Sequence, residues 1–258
     1  MLWRSLWLAA VLSGLLAAGP SYAADSSLKS GTSFLSNELQ RRQADETANP
    51  GMLWVAEGEE LWNKSEGAAG KACASCHGDA KTSMKGVAAH YPAIDRDSGK
   101  LLNIELRINN CRTGHQSAHA LPYESEEMLA LTAYIARQSA GMPLSVHTDG
   151  PAAPYFEKGR KLFYLRQGQI NLSCAQCHDD NLGRHLRSDI ISSAIPSGYP
   201  VYRLEWQTLG SLHRRLRACS LGVRAIQFPY GSDEYLSLEL FIAKRAEGFA
   251  LEAPAIRK

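Results

Sequence analysis

Methionine is nearly missing from this chain: 258 residues hold five, and none follows Met142. The second half therefore has no methionine thioether to offer a soft metal centre. One-signed charge is missing too, since 28 lysines and arginines against 26 aspartates and glutamates leave a formal net charge of +2. That balance gives a polyanion nothing to hold, so nucleic acid is not expected as a partner. Beyond the first residues, no apolar run reaches the roughly 18 residues that span a bilayer, so no membrane span is expected. Alternating strand patterns and hairpin turn signals are also lacking, which points to a mainly α fold.

The leader MLWRSLWLAAVLSGLLAAGPSYAAD carries one positive charge at Arg4, an apolar run from Leu6 to Ala18, and small residues at Ser21 and Ala23. It predicts a signal peptide over residues 1–23, cut before Ala24, and export to the periplasm. The remaining length suits one large or two small domains.

Six cysteines are present. Four of them lie in CASCH, Cys73 to His77, and CAQCH, Cys174 to His178. A C-x-x-C-H run attaches haem through two thioethers and offers its histidine to the iron. Two covalently bound haem c groups are therefore expected, held by Cys73 and Cys76 and by Cys174 and Cys177, with His77 and His178 as proximal ligands. Cys111 and Cys219 are left over.

An internal repeat relates these leftovers. Gly58 precedes Cys73 by fifteen residues and Gly159 precedes Cys174 by the same fifteen. Tyr91-Pro92 stands twenty residues before Cys111, as Tyr199-Pro200 does before Cys219. SEEMLALTAYIARQSAG from Ser125 is answered by SDEYLSLELFIAKRAEG from Ser232. Each of these segments has a serine N-cap, acidic residues in the first turn and apolar residues at helical spacing. The expected organisation is two tandem cytochrome c-type domains, residues 24–140 and 155–258, joined by a Gly- and Pro-rich linker over 141–154. The spacing from His178 to Tyr199 exceeds that from His77 to Tyr91 by seven residues, which places an insertion around Leu182 to Pro196. Residues 25–56 read as a polar lead-in without a function of their own.

Electron-transfer cytochromes c usually place methionine opposite the histidine. The second copy has no methionine of its own to offer, and its candidates are His185, His213 and Cys219. His185 falls in the insertion and His213 is matched by Glu105, whereas Cys219 has a twin in Cys111. A thiolate on each iron accounts for both spare cysteines. For the first iron, Met84, Met128, His90, His115 and His119 stay open as rivals to Cys111. A disulfide between Cys111 and Cys219 is the other use of the pair, and would bring their Cα atoms within about 7 Å.

A thiolate lowers the iron's potential, which suits a working centre more than a wire. Arg215 lies four residues before Cys219 and, on a helix, shares its face. Arg214 and Arg217 add charge. These arginines suit a sulfonate or sulfate-like oxyanion and suit haem propionates equally. Arg107 has the same spacing to Cys111, but ELRINNC lacks the arginine cluster of RRLRAC. The cluster and the insertion both favour the second copy as the working site.

From Asn49-Pro50-Gly51-Met52 through both haem motifs and both lone cysteines to the final helix, the chain resembles the A subunits of the SoxAX cytochromes. These are L-cysteine S-thiosulfotransferases of periplasmic sulfur oxidation. The resemblance implies a heterodimer with a small monohaem cytochrome c subunit. It also implies an oxidative joining of thiosulfate to a cysteine of a sulfur-carrier protein, with two electrons passing to an acceptor cytochrome c. By motif position it makes Cys219 both distal ligand of the active haem and catalytic cysteine persulfide, Arg215 the catalytic substrate-binding residue, and Cys111 distal ligand of the first haem. Retention of Cys73, Cys76 and His77 implies the dihaem form. The reading from a different class is a dihaem electron carrier without a substrate of its own.

Overall fold

Two helices per copy carry the fold, and the second of each pair begins where the sequence caps it. The Ser125 hydroxyl accepts from the Met128 backbone N–H at the start of α6 (Glu126–Arg137), and Ser232 accepts from Tyr235 at the start of α10 (Asp233–Arg245). Acidic residues in both first turns complement the helix dipole. Helix α2 (Met52–Asn63) lies on α6, and α7 (Ala153–Tyr164) lies on α10. The computed structural model describes residues 28–186 and 189–258; the expected signal peptide falls outside them.

The matched glycines explain why the crossings are close. A Cβ on Gly58 would meet the Ala130 carbonyl oxygen at 2.2 Å, and one on Gly159 the Ser237 carbonyl oxygen at 1.9 Å. Both contacts are to backbone, which cannot step aside. We expect Gly159→Ala to force the helices apart and cost about 1–3 kcal/mol, the usual penalty of overpacking. Denaturant unfolding of the holoprotein checks this, and an unchanged midpoint would contradict it.

Around the first crossing Val55, Trp62, Ile108, Met128, Leu131 and Tyr134 form one core. Around the second, Phe163, Leu212, Leu238, Phe241 and Ile242 form another. Phe163 is 1% exposed; burial of such a side chain contributes about 1.5–3 kcal/mol. Short helices α3 (Ala74–His77), α4 (Ala80–Ser83) and α8 (Cys174–His178) carry or follow the haem motifs. Helices α5 (Ile104–Cys111) and α9 (Leu212–Gly222) carry the lone cysteines.

The absence of hairpin signals was misleading in one respect. Among the described residues there are seven short strands: β1 (Ala93–Ile94) with β2 (Leu101–Leu102), β3 (His185–Leu186) with β4 (Asp189–Ile190), and a sheet of β5 (Val201–Arg203), β6 (Thr208–Gly210) and β7 (Ala255–Arg257). Each is two or three residues long, too short for alternation to register. The β1–β2 and β5–β6 hairpins are twins, and each follows a cis Tyr-Pro bond. The β3–β4 hairpin lies in the Leu182–Pro196 stretch where the insertion falls.

The two copies meet about a pseudo-twofold axis. The Gly141 N–H donates to the Leu251 carbonyl, and its counterpart Gly248 donates to that of Leu144. The polar lead-in also has a place: α1 (Asn37–Ala44) packs on β7, Gln43 accepts from the Ile256 N–H, and Asn49 donates to the Pro254 carbonyl.

Candidate functional site

The haem motifs and lone cysteines converge in pairs. A first cavity, about 260 Å³, is lined by Cys73, Cys76, His77 and Cys111 among apolar Ile104, Ile108, Leu131 and Ile135. A second, about 150 Å³, is lined by His178 and Cys219 with Leu212, Leu216, Ile242 and Tyr199. All six cysteines are free, and Cys111 and Cys219 line different cavities, so the disulfide alternative is not formed.

The rival ligands separate cleanly. His213 is 1% exposed, with Nε2 3.0 Å from Glu239 and Nδ1 accepting from the Gly231 N–H. It is held in the seam between the copies and does not line the second cavity. His185 is exposed on β3. In the first copy Met128 is fully buried in the α2–α6 core, His90 faces the Ser145 carbonyl and His119 is exposed. Met84 and His115 do line the first cavity beside Cys111.

Each histidine is prepared to meet a metal. His178 donates from Nδ1 to the Ser192 carbonyl at 2.6 Å, which leaves Nε2 as the nitrogen that can meet an iron. Ser192 lies in the Leu182–Pro196 stretch that accommodates the insertion, so this longer loop anchors the ring. Burial, then Arg107, pushes His77 down, which favours the neutral, ligating form. Histidine nitrogen and cysteine sulfur line one cavity in each copy, mainly apolar in the first and partly charged in the second. With thioether-forming cysteines beside each histidine in the sequence, they fit a covalently attached haem in both places.

The two distal cysteines differ in electrostatics. Burial pushes Cys111 up, and Arg107 opposes it without prevailing. At Cys219 burial also pushes up. There Arg215, a hydrogen bond and charge from His178, and Arg203 prevail and bring the thiol down to about 7. A thiol so placed is substantially thiolate near neutral pH.

Of the arginine cluster, only Arg215 reaches the second cavity. With 3.6 residues per turn, the fourth residue before Cys219 shares its face and the others do not. Arg214 stacks over Trp206 at 4.2 Å and pairs with Glu124 at 3.6 Å. Arg217 stacks over Tyr230 at 4.8 Å and donates to the Phe228 carbonyl. Sequence reasoning missed Arg203 and Asp189, which also line this cavity. The repeat held a signal for the first: Arg203 occupies the place of Asp95.

Comparison with known proteins now decides the family. A family model of the SoxA/TsdA cytochrome c domain matches residues 57–144, the first copy from within α2. The L-cysteine S-thiosulfotransferase subunit SoxA of Pseudaminobacter salicylatoxidans is 43% identical over 230 residues, 89% of this chain and 80% of that protein. This chain belongs to the SoxA family. The SoxA subunit of Rhodovulum sulfidophilum is 40% identical over 240 residues, 92% of this chain and 84% of that one. The crystal structure of SoxXA from P. pantotrophus matches with a TM-score of 0.87 at 36% identity, covering 90% of this chain and 87% of that one. The SoxA family comprises L-cysteine S-thiosulfotransferase subunits. The cytochrome c domain expected from the haem motifs is thereby established, and no helix among the described residues is long and apolar enough to cross a membrane.

Proposed function

We propose that this chain is the catalytic dihaem subunit of a periplasmic thiosulfate-oxidising cytochrome complex. Its domains are the copies over 24–140 and 155–258, joined by 141–154 after loss of residues 1–23. His77 and Cys111 hold the first iron, and His178 and Cys219 the second. The reading rests above all on one arrangement: the Cys219 thiol, lowered against burial to about 7 chiefly by Arg215, shares a cavity with Arg215 and with His178, whose Nδ1 is held by the Ser192 carbonyl. A partner of the small monohaem type is consistent with the SoxXA complex of the P. pantotrophus relative.

The net reaction joins the outer sulfur of thiosulfate to a cysteine thiolate of a sulfur-carrier protein. One S–S bond forms and two electrons leave, to be passed on to an acceptor cytochrome c. Haem iron, when bound, accepts electrons singly, so more than one haem is useful. The chain's own residues do the rest. Arg215 binds the sulfonate end by charge-assisted hydrogen bonds and aims the outer sulfur at Cys219. Cys219, carried as a persulfide, joins its outer sulfur to the outer sulfur of thiosulfate as two electrons leave. The carrier thiolate then attacks that thiosulfate sulfur, taking it with its sulfonate and releasing the Cys219 persulfide for the next turn.

Electron paramagnetic resonance of the oxidised protein tests this assignment. The expected result is two low-spin thiolate-ligated signals and an intact mass carrying two haems on a chain lacking residues 1–23. Histidine–methionine signals at both haems would favour the electron carrier and remove the thiolate reading.

A further inference from the structure

The repeat supplies an internal control for the arginine beside each distal cysteine. At an offset of 108, Arg107 matches Arg215, Cys111 matches Cys219, and Asp95 matches Arg203. Asp95 directly follows β1, and Arg203 ends β5, its twin strand. In the first copy Arg107 Nη1 sits 2.7 Å from Asp95 Oδ1, so that arginine is neutralised by its hairpin. In the second copy the hairpin offers Arg215 another cation instead. Among the described residues Arg215 has no carboxylate within salt-bridge distance, while Asp189 and Glu205 act on it from further off.

Arg203 has two carboxylate neighbours and still keeps an open donor. It is 5% exposed, its Nη2 stands 3.7 Å from Asp189 and 3.4 Å from Glu205, and its buried Nε has no hydrogen-bond partner. A buried guanidinium with an unfilled donor carries a desolvation cost that a bound oxyanion offsets. Arg257 also lines this cavity but is held by Glu252 at 3.0 Å. Arg203 and Arg215 are therefore the pair that presents a fork of donors suited to a three-oxygen anion beside the sulfur nucleophile.

We propose that Arg203 is a second substrate-binding residue, holding the sulfonate end of thiosulfate jointly with Arg215; this rests on the thiosulfotransferase reading above. One charge-reversed position then separates the two copies. The first copy closes its arginine with Asp95 and has no anion site. The second opens one beside Cys219.

The test uses the holoprotein with its small subunit, measuring thiosulfate-dependent reduction of an acceptor cytochrome in the presence of a carrier thiol. Arg203→Met raises KM for thiosulfate about ten- to a hundred-fold, the loss of one or two charge-assisted hydrogen bonds. Haem content and the haem 2 resonance signal stay as in the parent. Arg203→Lys keeps the charge, loses the fork and gives an intermediate KM. Arg203→Asp recreates the first-copy pair, now with Arg215, and abolishes measurable turnover. An unchanged KM in Arg203→Met and Arg203→Lys, with Arg215→Ala impaired, overturns this inference and leaves the parent reading standing. A shifted haem 2 signal or potential with unchanged KM also overturns it, by making a propionate the occupant. Should Arg203→Met fail to mature, Arg203→Lys decides, since a KM equal to the parent's refutes the fork. Full activity in Cys219→Ala instead sinks the parent reading itself.

Discussion

Cys219→Ala is expected to lower thiosulfate-dependent turnover at least about a thousand-fold, the scale of losing a catalytic nucleophile. Both haems should remain attached, because Cys174, Cys177 and His178 sit on α8 and its capping box does not involve α9. In that box the Ser173 hydroxyl accepts from the Gln176 N–H, and the Gln176 side chain accepts from the Ser173 N–H. The distinction matters, since Cys219 is read here as both iron ligand and covalent catalyst. Intact mass reports the haems and a mass spectrum of the Cys219 peptide reports the persulfide. A parent peptide with no extra sulfur, together with turnover above a tenth of the parent's in the variant, would refute the catalytic role.

Cys111→Met should behave quite differently. Methionine in place of thiolate raises the midpoint potential of the first haem by on the order of 0.1 V or more, a fraction of the range of roughly 0.8 V that axial ligation spans. One thiolate signal disappears and thiosulfate still turns over, because Arg107 is engaged by Asp95 and the first cavity has no other arginine. Spectroelectrochemical titration and the turnover assay check this together. An unchanged potential would make Met84 or His115, which line the same cavity, the ligand in place of Cys111.

Much of the site was legible because it is written in covalent spacing. The two C-x-x-C-H runs fix two thioether pairs and a histidine each, and the offset of 108 picks Cys111 and Cys219 out of the background. The helix caps at Ser125 and Ser232 were equally plain, since a serine followed by two acids and an apolar helical stripe has one economical reading. Long-range geometry was not legible. That Arg214 and Arg217 turn to Trp206 and Tyr230 depends on rings brought from elsewhere in the chain. The burial of His213 against Glu239 depends on how the copies meet. Arg203 lay hidden because a lone arginine after a Tyr-Pro turn means little until the hairpin returns it to the cavity.

The glycine-set crossing of α7 on α10 also bears on how the second haem is attached. The chain between these helices, from Leu165 to Ser232, contains the whole CAQCH motif. Once the crossing has closed, burial holds the Cys174 thiol up at about 12, where almost none is the nucleophilic thiolate. Thioether formation requires that sulfur to react with a haem vinyl group. On the proposed assignment, the Cys174 sulfur is therefore more reactive toward haem before Gly159 closes on Ser237 than after.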